Sequence, residues 1–524
     1  MAWGPGGRFL LAILSGLLLV LCFPKADLGP LAFVAMAPFL RSFPYKRSRS
    51  AFGYGFLFGF VFFSGLLYWV AVFTHHVIGW LGIVAWLVLA AVQALFVAFF
   101  SLGANTLWTR TGPMGRLFLL PSLWTLCEWL RQLGSLGMGW GDLAYTQWHF
   151  LPLLQTASIT GCWGITWLIV LVNSAVAMPS RKSLGIAGAI VCATLIWGFV
   201  ALSRTAPTPR FTAAAIQADI NEDVPWVNAR PKDPAYYNFT MSTFGQMIAT
   251  AKSKNQAALC VLAETAVPGY PRYDPLLRHE VLSWAAANNT TLIAGARDYH
   301  QDTKNDTNSL FAITPDGAIS GEYAKQQLVP FGEFVPFHKY LPILDKLHVS
   351  VFDDDRGGGN QPAVYAGLVV GRVGSAICYE STYPRFLRQQ TKAGANVLDV
   401  ITDDTWFGRT AAARQHLAMS AIRAAENHRY LVRCAATGIS AIFAPNGREI
   451  AEAPLFTRAV VAGGRLVAFG YHALRAFRGL VYSALRTDRT SCLCPRCPGP
   501  ASLRLGPRTL CPWRQQCVPE GNHC

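Results

Sequence analysis

A bundle of membrane-spanning helices followed by a layered α/β domain is the architecture that this 524-residue chain predicts, on three observations. Hydrophobic residues make up 52% of the chain and charged residues only 14%, too apolar a balance for a water-soluble protein of this length. Apolar runs suited to crossing a bilayer recur as far as Leu202 and then stop. From Arg210 onward, short β-like runs separated by polar, Gly and Pro punctuation take over, with helical stretches between them, for about 250 residues.

The first apolar run, Phe9 to Phe23 behind Arg8, resembles a secretory leader. No small-residue cleavage site follows it and further apolar runs do, so it reads as the first span. Cys22 is not a lipidation site, because Leu21 stands where a small residue is required. Six more spans are expected at about Leu28 to Leu40, Phe52 to Phe73, Ile78 to Phe100, Leu117 to Leu130, Leu154 to Met178 and Leu184 to Leu202, the first of these short for a bilayer core of about 30 Å. Residues 1–204 therefore form a bundle of about seven spans.

The formal charge of +16 would suggest a nucleic-acid partner in a soluble protein. Here the basic residues fall in short loops and near the C-terminus, which membrane orientation explains better. With the N-terminus inside, alternation puts Arg41, Lys46, Arg47 and Arg49, then Arg110 and Arg116, then Arg181 and Lys182 on the cytoplasmic side. The opposite side receives Lys25 with Asp27, the His75-His76 turn, and the Arg131 to Leu151 connection with its one Arg. That asymmetry obeys the positive-inside rule, and an odd number of spans delivers everything after Leu202 to the outer side, the periplasm of a bacterium. Glu128 and Arg131, at helical i, i+3 spacing near a span end, read as a salt bridge that fixes the helix end. The Gly137-Met138-Gly139-Trp140-Gly141-Asp142 loop suits the lipid interface, as the floor of a lipid-entry site or as an anchor.

Residues 205–463 form the second domain. Strands are expected at Phe211 to Ile220, Ala258 to Ala263, Thr290 to Ala296, Leu368 to Ile377 and Asn396 to Thr402, with hairpins around Pro315-Asp316-Gly317 and Pro445-Asn446-Gly447. Three ionisable residues stand at strand ends: Glu264, Lys325 and Cys378. A thiol at a strand end is open to a cleft, a carboxylate within reach takes its proton, and a lysine favours the thiolate and stabilises an oxyanion. Taken singly, Cys378 reads equally as core filler, Glu264 as a surface carboxylate and Lys325 as a solvated charge. Jointly they form a kit for attack on an acyl carbon through a covalent thioester.

Glu264 within Leu262-Ala263-Glu264-Thr265-Ala266-Val267-Pro268, Lys325 ahead of Leu328-Val329-Pro330-Phe331-Gly332-Glu333, and Cys378-Tyr379-Glu380 resemble the three motifs of the nitrilase superfamily. The membrane half narrows the resemblance to the apolipoprotein N-acyltransferase family, whose pattern fits the Trp124 to Arg131, Gly137 to Trp140 and Leu151 to Gln155 stretches. The resemblance runs from the first span to about Gly463. It implies an αββα sandwich, with Glu264 as general base, Lys325 as stabiliser of oxyanion and thiolate, and Cys378 as nucleophile. It makes Glu333 the glutamate that orients the lysine, Tyr379 and Glu380 supports of thiol and substrate, and Trp226 an aromatic of the active-site rim, although a packed loop tryptophan is as good a reading of the last. The implied reaction moves a fatty acyl chain from a phospholipid to the N-terminal amine of a diacylglyceryl apolipoprotein at the bacterial inner membrane, with no cofactor or metal. A membrane-tethered amidase or nitrilase, and a non-catalytic membrane scaffold with a nitrilase-like binding domain, are the alternatives.

The tail, 464–524, departs from that family, which places a last spanning helix there. Ala476 to Leu485 is short, broken by Arg478 and flanked by Arg475 and Arg486. Six of the 13 cysteines crowd this stretch, but their irregular spacing fits no common zinc site and suits a shifted reading frame better.

Overall fold

In the computed structural model the residues described are 3–203, 211–220, 234–301, 305–336, 340, 362–368, 370–463 and 465–468. Trp226 and the cysteine-rich tail lie outside them.

The bundle is more broken than its hydropathy suggests. Among the described residues three helices are long and apolar enough to cross a membrane alone: Pro5–Cys22, Leu81–Arg110 and Arg181–Ser203. Two bent pairs, Ser48–Leu66 with Tyr68–His75 (52°) and Leu151–Thr160 with Cys162–Ala177 (119°), raise the number to five if each is one span. The other two expected spans fall short by length or composition. Gly29–Leu40 is a short apolar stretch, and Pro113–Arg131 holds Pro121 and three charged residues. The helical pieces of the short stretch part at Met36. Asn173 repairs that break, accepting from the backbone N–H of Met36 (2.8 Å) and Ala37 (3.0 Å) and donating to the carbonyls of Ala32 and Ile169. Backbone groups freed inside a bilayer need such partners.

Glu128 and Arg131 do not pair as expected. Arg131 binds Asp142 at 2.5 Å, while Glu128 accepts from the Trp124 indole, the Leu143 backbone N–H and the Thr166 hydroxyl. The turn after the helix folds back and supplies nearer partners than the helix itself.

Among the described residues thirteen strands form two sheets. They are β1 (Thr212–Gln217), β2 (Ala257–Leu262), β3 (Thr291–His300), β4 (Asn305–Ile313), β5 (Ile319–Ala324), β6 (Val364–Leu368), β7 (Gly371–Ile377), β8 (Val397–Thr402), β9 (Tyr430–Ala435), β10 (Ser440–Phe443), β11 (Glu449–Ala453), β12 (Ala459–Ala462) and β13 (Arg465–Ala468). One sheet runs β13-β12-β1-β2-β3-β4-β5 and the other β11-β10-β9-β8-β7-β6. The run from Leu368 to Ile377, expected as a single strand, is the junction of two: β6 and β7 pair antiparallel, and Gly371 makes the turn possible with φ +91°. β13 carries the sheet past the expected limit at Gly463.

Strand alternation explains the layering. Along β2, Leu259 and Val261 face the core between the sheets, while Cys260 and Leu262 face the helices Pro234–Asn255 and Pro275–Ala287. Both faces are apolar because both are covered. On the second sheet the covering helix Ala412–Asn427 is buried nearly all round, with the sheet on one side and the bundle on the other, so that one continuous apolar core includes Leu19, Trp140 and Leu154 together with Leu398, Leu417 and Phe443.

The two ends of the bundle differ chemically. At one end Arg8 donates to the Pro44 carbonyl and lies over Tyr45, Tyr45 N–H donates to Asn105, and Arg116 lies over Trp108. At the other, the sparsely basic segments meet the α/β domain: Lys25 donates to the Arg409 carbonyl, Tyr68 accepts from Ala411 N–H, Phe73 packs on Trp406, and Trp140 donates to Gln415. The segments around Pro44–Tyr45 and Trp108–Arg116 thus lie away from those that meet the α/β domain.

Candidate active site

Three strand ends build the site, and they come from both sheets. β2 and β5, of the first sheet, lead into Glu264 and Lys325; β7, of the second, leads directly into Cys378. Lys325 is 1% exposed. Its ammonium donates to Glu264 Oε1 and Glu333 Oε1, each at 3.0 Å. Asn308, on β4, donates to the same two oxygens at 2.6 and 3.2 Å. The second oxygen of Glu264 accepts from Asp403 N–H (2.8 Å) and that of Glu333 from Val329 N–H (2.9 Å). A buried cation between two carboxylates, every oxygen occupied, has no rotational freedom to lose when chemistry begins.

The electrostatics follow from that packing. Burial disfavours the ammonium of Lys325, but Glu264 and Glu333 outweigh it and hold the group protonated, well above the ordinary lysine range. Cys378 is half-buried, with φ +52°. Burial and the Glu264 carboxylate push its thiol well above the ordinary value against the opposing pull of Lys325 and a hydrogen bond with Thr402. The lysine thus pulls toward the thiolate, as the sequence predicts, but burial and Glu264 outweigh it and the balance favours the thiol.

Glu380 is wholly buried and touches protein on every side. It accepts from Ile377 N–H, from Gln326 and Gln327 N–H, and from the Tyr323 hydroxyl, tying the turn after β7 to the segment that carries Lys325. Tyr379 donates to the Gly137 carbonyl at 2.9 Å. The Tyr383 hydroxyl donates to the same carbonyl, and Tyr145 donates to the Thr382 carbonyl at 3.0 Å. The loop read from sequence as the floor of a lipid-entry site or an anchor thus also cradles the turn Cys378–Thr382. Among the described residues no three His, Cys, Asp or Glu side chains gather to hold a metal ion.

Sequence reading missed Asn308, Asp403, Asp404, His416 and Arg433, all buried polar residues within or beside this site. A carboxylate pair at Asp403-Asp404 directly after an apolar strand was the one available signal, the same strand-end logic that found Glu264.

A helical bundle joined to a two-sheet sandwich with a Glu, a Lys and a Cys at converging strand ends defines a membrane-borne enzyme of the carbon-nitrogen hydrolase type, and comparison with known proteins agrees. The family model for carbon-nitrogen hydrolase matches residues 212–464 and that for the apolipoprotein N-acyltransferase N-terminal domain matches residues 15–175. Apolipoprotein N-acyltransferase of Geobacter metallireducens is 33% identical over 478 residues, 88% of this chain and 89% of that protein. Those of Chlorobaculum tepidum and Coxiella burnetii are 27% and 29% identical, over 86% of this chain and 90% and 93% of theirs. The chain belongs to the apolipoprotein N-acyltransferase family. It is a bacterial membrane enzyme that transfers acyl groups to amines.

Gly139 tests how far the bundle shares in the site. A Cβ there would lie 2.6 Å from the Thr382 carbonyl oxygen, so Gly139→Val must displace the turn that carries Cys378. A misplacement of order 1 Å lowers rates about 100-fold, and that loss is expected for acyl transfer measured in membranes. Gly188→Ala, where a Cβ meets nothing within 4 Å, is expected to keep the wild-type rate.

Proposed function

We propose that the chain moves a fatty acyl chain from a phospholipid to the N-terminal amine of a diacylglyceryl-cysteine lipoprotein, through a thioester on Cys378. The observation that carries this reading is the protonated Lys325 locked between Glu264 and Glu333 beside a thiol that needs a base. In the first half-reaction Glu264 takes the thiol proton and the sulfur attacks the ester carbonyl. The oxyanion that forms meets the Lys325 ammonium, which is already in place and undergoes no reorganisation. Collapse breaks the ester bond, and Glu264 returns its proton to the departing lysophospholipid alkoxide. In the second half-reaction the amine attacks the thioester, Glu264 takes an N–H proton, and the thiolate leaves and recovers it. Glu333 orients the lysine. Glu380 and Tyr379 hold the nucleophile turn rather than touch substrate.

Docking of the sandwich on the bundle end opposite Arg8, Tyr45 and Arg116 supports a periplasmic site on the inner membrane, since basic segments stay in the cytoplasm. It also favours a lipid donor over a small soluble amide, because the turn after Cys378 rests on a membrane loop.

Incubating the purified full chain with radiolabelled phospholipid distinguishes the readings. Without acceptor, one acyl group should remain on the enzyme with release of lysophospholipid; adding a diacylglyceryl peptide should restore turnover. Equal turnover without peptide would make water the acceptor and the enzyme a hydrolase, and no adduct at all would leave the scaffold reading.

A further inference from the structure

Behind Cys378 lies a ring of buried side chains that the acyl-transfer steps do not use. The Cys378 carbonyl accepts the Ser381 hydroxyl proton at 2.7 Å. That hydroxyl has no second proton to give, so in its 2.8 Å contact with His416 Nε2 the serine oxygen is the acceptor and Nε2 carries the hydrogen. The imidazole's other nitrogen, Nδ1, lies 3.1 Å from Asp404 Oδ1 and 3.0 Å from Arg433 Nη2. Arg433 in turn binds Asp404 Oδ2 at 2.6 Å. All three residues are 1% exposed or less.

One carboxylate and one guanidinium already balance. A second buried cation would be uncompensated, so the imidazole is neutral, with Nδ1 accepting from Arg433 and Nε2 donating to Ser381. Burial and Arg433 lower the His416 pKa, in agreement. The rings of Trp140, from the bundle loop, and Phe407 complete its surroundings at 5.4 and 6.2 Å between centroids.

Asp404 Oδ1 also accepts from the Thr402 hydroxyl at 2.9 Å. The carbonyl of Cys378 is thus tied to one buried cluster. That residue has a positive φ without being glycine, a conformation that persists only where its surroundings impose it.

We propose that His416 is a positioning residue for the nucleophile: braced by Arg433 and acting through Ser381 on the Cys378 carbonyl, it holds Cys378 in its left-handed turn with the thiol aimed at the acyl carbon. The proposal rests on the reading of Cys378 as nucleophile.

The test is acyl-enzyme formation by the full chain in phospholipid vesicles, with kcat and KM for the donor measured separately. His416→Leu removes both nitrogens at similar volume. It is expected to lower kcat about 30-fold or more with KM unchanged, because misorientation of a bound reactant slows the step without weakening binding. His416→Gln returns an N–H donor at the reach of Nε2 and should recover to within about fivefold of wild type, while His416→Asn, whose amide reaches only as far as Nδ1, should stay with the leucine variant. Ser381→Ala, which deletes a single hydroxyl and serves if the leucine variant does not fold, should also lower kcat at constant KM. Wild-type kcat in either His416→Leu or Ser381→Ala would overturn the proposal, as would equal loss in the Leu and Gln variants, which would reduce the histidine to packing. Cys378→Ala separates the two levels. An adduct that survives it refutes the nucleophile assignment, whereas loss of the adduct there, with a wild-type rate in His416→Leu, refutes the positioning role alone.

Discussion

Cys378→Ala is expected to abolish the acyl adduct and to lower lipoprotein acylation by at least about 10³-fold, while the protein still inserts and folds. Removing a covalent nucleophile from a site whose other parts act as a unit with it leaves only binding and electrostatic catalysis, and losses of about 10⁴ to 10⁶ are the usual scale. Folding should survive because the thiol is half-buried and the turn is held by backbone and by other side chains: Glu380 on Ile377 N–H, and Ser381 on the Cys378 carbonyl. The same substitution at Cys260 or Cys434 should leave the adduct intact. Both are wholly buried; Cys260 faces the helix layer and Cys434 lies in the core between the sheets. Mass spectrometry of tryptic peptides after incubation with phospholipid checks all three. An unmodified Cys378 peptide in an enzyme that acylates its acceptor would replace the two-step mechanism with direct transfer.

Lys325→Met should damage both activity and stability, and a second substitution should pull the two effects apart. Without the ammonium, Glu264 and Glu333 are left in the same buried space with Asn308 as their one shared side-chain donor. Breaking a buried ion pair on one side costs about 3–5 kcal/mol, because the remaining charge is uncompensated. The oxyanion stabiliser is gone, so acyl-enzyme formation should fall by at least about 10³-fold. Adding Glu333→Gln relieves the repulsion. The double variant should regain most of the lost thermal stability and little of the activity. Thermal unfolding and single-turnover acylation, measured on both variants, decide. Recovery of activity along with stability would mean that Lys325 is a structural counter-ion and that something else meets the oxyanion.

Some of this was legible before any folding is considered. The membrane half announced itself through apolar runs, because a bilayer demands length and apolarity from contiguous residues. Glu264, Lys325 and Cys378 stood out because each follows the end of a strand, and a polar residue at such a position is exposed to whatever the sheet ends enclose. The charge pattern of the loops set Arg8, Arg41 to Arg49 and Arg116 apart from Lys25, and the Arg8–Pro44 and Arg116–Trp108 contacts lie away from the Lys25–Arg409 contact.

Other features had no local signature. Seven apolar runs predicted seven spans, yet the structure breaks them at Met36, Leu67 and Gly161, where a partner distant in sequence takes up freed backbone groups: Asn173 in one case and, in another, Glu426 of the α/β domain, which accepts from Cys162 N–H at 2.7 Å. Arg131 and Glu128 are one helical turn apart, but a loop that folds back offers each a nearer partner.

By itself the sequence determined which surfaces are buried, where strands end and therefore which three side chains reach a common cleft, because hydrophobic periodicity records burial residue by residue. Only the tertiary structure decided what those side chains can do there. Asn308 and Glu333 meet across a hairpin, Asp403 reaches Glu264 from the opposite sheet, and the bundle's Gly137 carbonyl receives a tyrosine 242 positions further along the chain. The state of the thiol and the lysine depends on the sum of those encounters, since burial and charge act through space and periodicity along the chain carries no record of which buried polar group faces which.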